Sequence, residues 1–336
     1  MIDRKDREKE KKKKKFFLLL WLFLTILLLS TSTYAWFSTN RITDIEFFDV
    51  HIETDGGIEI SSNAINWKSV LSVEDITTAH ETYPTSTNQV PPQMKPASTA
   101  GLVDTNGHLY MYSGGLEGNE EGDFILSATR EVEQEWNGEE CFGTFISFDV
   151  FIRTSVGRKV FLKNSSYVTY VGEESLGIEN SARVAFVVEG NLPKGTSVSQ
   201  IQALNKATND DVYIWEPNYD VHTASGVENA LNNFMMEIPE TGAERIKYDG
   251  LINPVLLSKN IKMQETNSTY YAEYFKPVNI HIATKKEFEN NEELFYLDPG
   301  VTKIKIYMWI EGQDVDSENN AAYGDIEYFL QFTLNP

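Results

Sequence analysis

The chain has 336 residues, of which 29 are basic and 50 acidic, and its formal net charge is −21. So acidic a chain is a poor partner for nucleic acid, because phosphates need cations opposite them. The single cysteine, Cys141, excludes an intramolecular disulfide, so the stability of the fold must come from a buried core or a bound ion.

The first 35 residues have the three regions of an export signal. A basic stretch at residues 4–15 precedes an apolar stretch at residues 16–29, and small polar residues follow. The apolar stretch has the length of a signal-peptide core and is shorter than the roughly 20 residues that a spanning helix needs. Thr33 and Ala35 occupy the two small-residue positions of a cleavage motif, which predicts that a signal peptidase cuts before Trp36.

An uncleaved membrane anchor is the alternative, because the apolar stretch would just span a bilayer if it continued through residues 34–37. In both cases the lysines hold the N-terminus in the cytoplasm, so the remainder is predicted to be extracellular or at the cell surface. Residues 1–35 contain nine basic and four acidic side chains, which leaves −26 for residues 36–336. We predict that residues 36–336 form one extracellular domain with an elaborated middle, residues 190–295.

Apolar residues that alternate with period two predict several strands. Residues 144–153 show this alternation and indicate a half-buried strand, with a returning strand at 159–162. Residues 183–188 are apolar on both faces, which is typical of a central strand. The same alternation returns near the end of the chain, at 304–310 and 326–334.

The connecting segments are less regular. Residues 70–105 are rich in Pro, Ser and Thr and are predicted to form a long surface excursion. Short helices are predicted at 198–207, 226–236 and 285–293, the last with Thr284 as its N-cap. Strand-rich ends around a mixed middle predict a mainly β fold, an antiparallel β-sandwich with short helical insertions after an N-terminal hydrophobic helix.

The sequence contains no recognisable catalytic motif. Its five histidines share no zinc-type spacing, and the chain has no nucleophile elbow, P-loop or Rossmann glycine pattern. Cys141 as a nucleophile would need a histidine partner, and the sequence does not place one beside it. We therefore predict that the protein is not an enzyme.

The loop between the last two predicted strands is rich in oxygen ligands. Its D-x-D-x-E alternation would turn several oxygens inward, and calcium takes about 6–8 of them. The glycine and the closing glutamate of an EF-hand are not at their spacing, so a solvated acidic hairpin loop is the alternative. The candidate calcium ligands are Glu311, Asp314, Asp316, Glu318 and Asn320.

The stretch IWEPNYDVH, residues 214–222, combines aromatic rings with polar groups, as a sugar-stacking site does. Its candidate ligand-binding residues are Trp215, Tyr219, Asp220 and His222. The alternative is a capped loop that packs on the edge of a sheet. The neighbouring segment 177–185 leads into the central strand and is predicted to place Arg183 against a carboxylate.

Both ends of the chain resemble one family. TYAWF at residues 33–37 and IEFFDVHIETDGGIEI at 45–60 resemble the start of the camelysin/TasA-type secreted proteins of Firmicutes. IYMWIEGQDVD at 306–316 and IEYFLQFTL at 326–334 resemble the closing strands of surface proteins from the same Gram-positive group. The resemblance is confined to these two ends of the chain.

This resemblance implies processing by a dedicated signal peptidase and a jelly-roll-like subunit of extracellular matrix or biofilm fibres. In that family the mature N-terminal strand can complete the sheet of a neighbouring subunit by β-strand addition. Residues 42–52 suit this role, since they form an apolar strand whose phase changes at Phe47 and Phe48, as a bulge would give. The alternative is that this strand pairs within its own chain.

Camelysin-type members are also described as metallopeptidases, but no zinc ligand set matches in this sequence, so we do not expect that activity. We predict a non-enzymatic structural protein whose partners are copies of itself or cell-wall and matrix polymers. The alternative is a surface-anchored adhesin module that binds glycans or other ligands. No cofactor is expected apart from the candidate calcium ion.

Overall fold

The computed structural model describes residues 43–44, 53–54, 58–118, 124–133, 143–172, 175–234, 237–238, 245–259, 271–317 and 325–336. The predicted cleavage site at Thr33, Ala35 and Trp36 and most of the strand predicted at 42–52 lie outside these residues. The described part is mainly β with few short helices, as predicted. Within it, no helix is long and apolar enough to cross a membrane.

The described residues form strands that we number in chain order. They are β1 (Thr43–Asp44), β2 (Glu53–Thr54), β3 (Glu59–Ser61), β4 (Gln93–Met94), β5 (Ala97–Ser98), β6 (Met111–Gly118), β7 (Phe124–Glu131), β8 (Ile146–Thr154), β9 (Arg158–Leu162), β10 (Tyr167–Val171), β11 (Ala182–Leu192), β12 (Val212–Glu216), β13 (Asp249–Leu251), β14 (Phe275–Pro277), β15 (Ile282–Ala283), β16 (Glu292–Leu297), β17 (Gly300–Ile310), β18 (Asp325–Phe329) and β19 (Gln331–Thr333).

The α-helices are short, and they are α1 (Val73–Thr77), α2 (Val198–Gln202), α3 (Ala224–Phe234) and α4 (Tyr271–Tyr274). Helices were predicted at 198–207 and 226–236, and α2 and α3 lie there with shifted ends. The helix predicted at 285–293 is wrong, because strand β16 begins at Glu292. Thr284 does not cap a helix; its hydroxyl oxygen accepts a hydrogen bond from the indole of Trp215 at 2.9 Å.

The longest strands form a six-stranded sheet in the order β15-β12-β11-β17-β8-β3. Every neighbouring pair is antiparallel except β12 and β15. The strands predicted at 144–153, 183–188 and 304–310 are confirmed as β8, β11 and β17. β11 lies inside the sheet between β12 and β17, as its apolar residues on both faces predicted.

A four-stranded sheet in the order β16-β9-β19-β2 packs against one face of the six-stranded sheet. The largest apolar cluster joins Val150 and Ile306 of the larger sheet to Val160 and Phe332 of the smaller one. Phe186 meets Phe332 edge to face, with ring centroids 5.7 Å apart. Burial of this apolar surface is the main force that holds the two sheets together.

The opposite face of the six-stranded sheet is buried too. This corrects the prediction of a half-buried strand at 144–153, since Asp149 is only 1% exposed. It also corrects the prediction that 70–105 is a surface excursion, because Met94 and Ala97 within it are fully buried. Ala97 belongs to the cluster that covers Trp309 on β17. Residues that favour turns predict where the backbone bends, but they do not predict whether the segment is exposed. Here the bent segment packs on the sheet.

The strand predicted at 326–334 is two strands. β18 pairs with β10, whereas β19 pairs with β9 and β2 in the four-stranded sheet. The division falls at Leu330. The backbone N–H of the next residue, Gln331, donates a hydrogen bond to the hydroxyl of Ser166 at 2.9 Å. The alternation of side chains continues across this point, so the sequence pattern did not reveal the change of partner.

Candidate functional site

Buried charges gather around Arg183 at the start of β11. This side chain has no exposed surface. Its Nη2 donates to Glu216 Oε1 at 3.1 Å and to Asp314 Oδ2. Its Nη1 donates to the carbonyl oxygens of Asn180 at 3.0 Å and Ala182 at 2.8 Å. The prediction that this segment places Arg183 against a carboxylate is confirmed.

Strand alternation explains why Arg183 and Glu216 meet. Successive side chains of a strand point to opposite faces. Trp215 on β12 packs in the cluster between the two sheets, so Glu216 points to the other face. Val184 on β11 also packs between the sheets, which turns Arg183 to the same face as Glu216.

Glu216 also bridges to a second guanidinium group, because its Oε2 accepts a hydrogen bond from Nε of Arg245. Burial opposes the charge of Arg183, but the carboxylates of Glu216 and Asp314 outweigh it and raise the pKa of Arg183 above its ordinary value. The ring of Tyr248 lies beneath the guanidinium of Arg183, 5.2 Å from its centroid. Arg183 is therefore a permanent cation inside a paired network.

A second charged pair lies next to this network. His222 Nδ1 is 2.7 Å from Asp316 Oδ2, and the backbone N–H of Thr223 donates to Asp316 Oδ1 at 3.1 Å. Burial alone would lower the pKa of His222, but its hydrogen bond to Asp316 raises it above the ordinary value. The chain passes so close that a Cβ at Gly226 would lie 2.1 Å from Asp316 Oδ1.

Between the two networks lies a small cleft lined in part by Asn180, Tyr219, His222, Tyr248 and Gln313. Its volume is about 10 Å³, which is near the minimum for one water molecule. Asn180 Oδ1, His222 Nε2 and Gln313 Nε2 are buried there and have no hydrogen-bond partner among the described residues. The cleft has the size and polarity of a water or single-ion site, and it is far smaller than a sugar ring.

The structure brings together only two of the four residues predicted to bind a ligand. Trp215 has no exposed surface, so its ring cannot stack on a sugar. Tyr219 and His222 line the cleft. Asp220 accepts a hydrogen bond from the backbone N–H of Lys286 at 2.9 Å, as a loop-capping carboxylate does.

The predicted calcium ligands also have separate partners. Asp314 contacts Arg183, and Asp316 contacts His222. Both oxygens of Glu311 accept hydrogen bonds, from the Trp309 indole and from the Gln313 backbone, each at 3.0 Å. Burial raises the pKa of Glu311 to about 7.

The last two predicted calcium ligands, Glu318 and Asn320, lie outside the described residues. In the part of the chain that the structure describes, no group of three or more His, Cys, Asp or Glu residues could hold a metal ion. The calcium site therefore stays a prediction.

Sequence reasoning missed Arg245, Tyr248, Gln313 and Asn180. They reach the site from three segments of the chain, Arg245 and Tyr248 from one and Asn180 and Gln313 each from another. A buried arginine needs acceptors, so the predicted carboxylate partner of Arg183 was the one available signal.

Comparison of the chain with protein-family models, curated proteins and solved structures gives no match. The functional argument therefore depends on the geometry of the described residues.

Proposed function

We propose that this protein is a secreted or cell-surface structural protein, without enzymatic activity, that assembles into extracellular fibres by β-strand addition. In this proposal the two packed sheets are a jelly-roll-like antiparallel sandwich, and the N-terminal segment directs export. The observation that carries the proposal is the pairing of β2 at the edge of the four-stranded sheet.

Strand β2 is joined to its sheet by a very short ladder of paired residues. Glu53 and Thr54 pair in parallel with Gln331 and Phe332 of β19, and this two-residue ladder is the edge of the sheet. On its other side β19 is bonded to β9. So short a ladder contributes few backbone hydrogen bonds, and the same residues of a second copy would make the same bonds. Exchange of such a strand between copies is a low-cost route to an assembly.

Two other sheet edges in the described part, β3 and β16, are protected. β3 forms the edge of the six-stranded sheet, and Ile60 on it exchanges backbone hydrogen bonds of 2.9 and 2.8 Å with Lys68. The opposite edge of the four-stranded sheet, β16, has a register shift between Glu293 and Phe295 and two adjacent glutamates, Glu292 and Glu293. Covering, bulges and charges are the usual protection against unwanted pairing. Strand addition is therefore favoured at β19.

The geometry gives less support to the alternative, a glycan-binding adhesin. Trp215 is buried, and the cleft beside Tyr219 has space for about one water molecule. A surface that works through backbone pairing suits these observations better than a sugar pocket does. Fibre assembly also agrees with the formal net charge of −21, because a net charge far from zero keeps free subunits soluble.

A cysteine pair tests the proposal. In a Cys141→Ser background, Glu53→Cys and Gln331→Cys would place two cysteines at paired positions of β2 and β19. We expect a ladder of disulfide-linked oligomers on a non-reducing gel, and filaments of the unmodified protein by electron microscopy. The matched control is Glu59→Cys with Arg153→Cys, which are opposite on β3 and β8 and should link only within one chain.

The result against the proposal is equally clear. If the β2–β19 pair links only within monomers at every protein concentration, β2 pairs in its own chain and fibre assembly through this strand is wrong.

A further inference from the structure

A second cluster of buried charges lies on three adjacent strands of the six-stranded sheet, away from the cleft. Asp149 is on β8, Lys303 and Lys305 are on β17, and Glu189 is on β11, and none is more than 5% exposed. The β17–β8 register puts Lys305 directly opposite Asp149. The β11–β17 register shifts at Glu189, which brings this residue beside Lys303.

Lys303 lies between the two carboxylates. Its Nζ is 2.8 Å from Glu189 Oε2 and 3.3 Å from Asp149 Oδ2. The same nitrogen donates to the carbonyl oxygen of Leu204 at 2.9 Å. An amine and two carboxyl groups are thus in contact in an almost completely buried place.

The remaining neighbours hold Asp149 in position. Lys305 Nζ donates to Asp149 Oδ1 at 3.2 Å and to the Thr87 hydroxyl at 2.8 Å. The Tyr83 hydroxyl donates to Asp149 Oδ2 at 2.8 Å. Both carboxyl oxygens of Asp149 therefore receive hydrogen bonds, which polarise its carbon toward attack by a nucleophile.

We propose that Lys303 and Asp149 condense into an intramolecular isopeptide bond, with Glu189 as the catalytic acid and base. The reacting groups are already in contact and are fixed by packing, so the entropy of bringing them together is lost during folding. The bond would join β8 to β17 covalently, in a chain whose single cysteine allows no internal disulfide.

The charges of the cluster favour this reaction. Lys303 and Lys305 face the carboxyl groups of Asp149 and Glu189 before it, and Lys305 and Glu189 are the titratable groups that remain afterwards. Burying ions carries a large desolvation cost even when they are paired. Condensation turns the buried ion pair of Lys303 and Asp149 into a neutral amide and so removes two buried charges.

The atoms balance without an oxidant or a co-reactant. The Lys303 ammonium gives a proton to Asp149, and the neutral amine attacks the Asp149 Cγ to form the C–N bond. Glu189 donates a proton to the hydroxyl oxygen, the C–O bond breaks, and water leaves. The nitrogen returns a proton to Glu189, which ends as it began. One ammonium and one carboxylate have become one amide and one water.

The surroundings prepare Glu189 for this role. Burial first, and then the charge of Asp149, raise the pKa of Glu189 above its ordinary value, which favours the protonated form that can act as an acid. Burial opposes the ionised form of Asp149, but Lys303 and Lys305 outweigh it and hold its pKa low. Proton exchange within the ion pair therefore precedes the attack.

Two lysines contact Asp149, and the geometry favours Lys303. Glu189 contacts its nitrogen directly, whereas Lys305 has the Thr87 hydroxyl as its other side-chain partner. A proton carrier at the reacting nitrogen is what the reaction requires.

Tryptic peptide mapping of the full-length protein tests the proposal. Trypsin does not cut after an acylated lysine, so we expect a branched peptide in which residues 131–153 are joined to residues 287–305. Its mass should equal the sum of the two peptides less one water. Free 131–153 together with free 287–303 as the sole products would overturn the proposal. A branch to 304–336 would overturn the choice of Lys303.

Matched variants separate chemistry from folding. Lys303→Arg and Glu189→Gln should give the free peptides, whereas Lys305→Arg should keep the branch. Asp149→Asn should also keep it, with loss of ammonia in place of water. A branch that survives in Glu189→Gln would contradict the catalytic role, and the peptide map of the unmodified protein remains decisive if a variant does not fold.

Discussion

Replacing Arg183 with methionine tests whether the buried network around it stabilises the fold through charge pairing. Methionine keeps much of the volume and removes the cation, so Asp314 loses its ion pair and Glu216 keeps only Arg245. Removing one partner from a buried pair costs about 3–5 kcal/mol, because a charge remains in a place that cannot solvate it. We expect a loss of this size from the free energy of unfolding.

The matched control is Arg153→Met on β8. Arg153 donates to Glu59 at 2.8 and 2.6 Å and stacks on Trp67, but both charged groups are partly in solvent. Exposed ion pairs contribute about 0.2–1 kcal/mol, and an exposed cation–π contact about 0.5–1 kcal/mol. The control should therefore lose less than about 2 kcal/mol.

Urea unfolding followed by tryptophan fluorescence measures both losses. With a slope near the upper end of the usual range, about 3 kcal/mol per M, Arg183→Met should lower the midpoint by about 1 M or more. Equal losses in the two variants would refute the reasoning, since they would show that burial adds nothing to the value of the pair.

Three further predictions concern single sites. Burial raises the pKa of Glu311 from 4.5 to about 7, so the free energy of unfolding should fall by up to about 3 kcal/mol as the pH rises between these two values. Urea midpoints at pH 5 and pH 8 measure this loss. The variant Glu311→Gln should remove most of the difference between the two pH values. Gly226→Ala should lower thermal stability by about 1–3 kcal/mol, because the new Cβ meets a carboxylate oxygen at 2.1 Å. Gly157→Ala should cost less, because its Cβ would meet the hydroxyl of Tyr296, an exposed side chain that can turn away, and a reversed order would contradict the steric argument. Trp215→Phe and Thr284→Val each remove one partner of a buried hydrogen bond, and each should lower the free energy of unfolding by about 1–3 kcal/mol. If the losses simply add in the double variant, the hydrogen bond contributes nothing to stability.

The strands were readable from the sequence because side-chain alternation is a local property. β11 and β17 follow their apolar pattern over most of their length, and β11 lies where its two apolar faces predicted. The failures come from partners far along the chain. Thr284 precedes a segment that was predicted to be helical. Its hydroxyl oxygen instead accepts a hydrogen bond from the indole of Trp215, 69 residues away along the chain.

Part of the candidate site could also be predicted from the sequence, and the rest depended on partners far along the chain. A buried arginine predicts a carboxylate nearby, and Arg183 has two. The sequence did not show that Asp314 would be one of them, so the acidic loop was interpreted either as a set of calcium ligands or as a solvated hairpin loop. Trp215 was a candidate for sugar stacking, with a capped loop that packs on the edge of a sheet as the alternative. In the fold its position on β12 turns it into the core, and the ligand hypothesis fails at that residue.

The residues of the proposed isopeptide bond also lie in a place that the sequence pattern predicts to be exposed. Lysines that alternate with isoleucines on β17 look like the solvent face of a strand, and the packed segments above them exclude the solvent. Charges enclosed in this way stay paired at a large desolvation cost, which a condensation between them would remove. Lys303, Asp149 and Glu189 satisfy the conditions for reaction, namely contact, exclusion of water and an acid of raised pKa. In the proposed fibre subunit that bond would hold β8 to β17 under load, and the peptide map decides whether it is present.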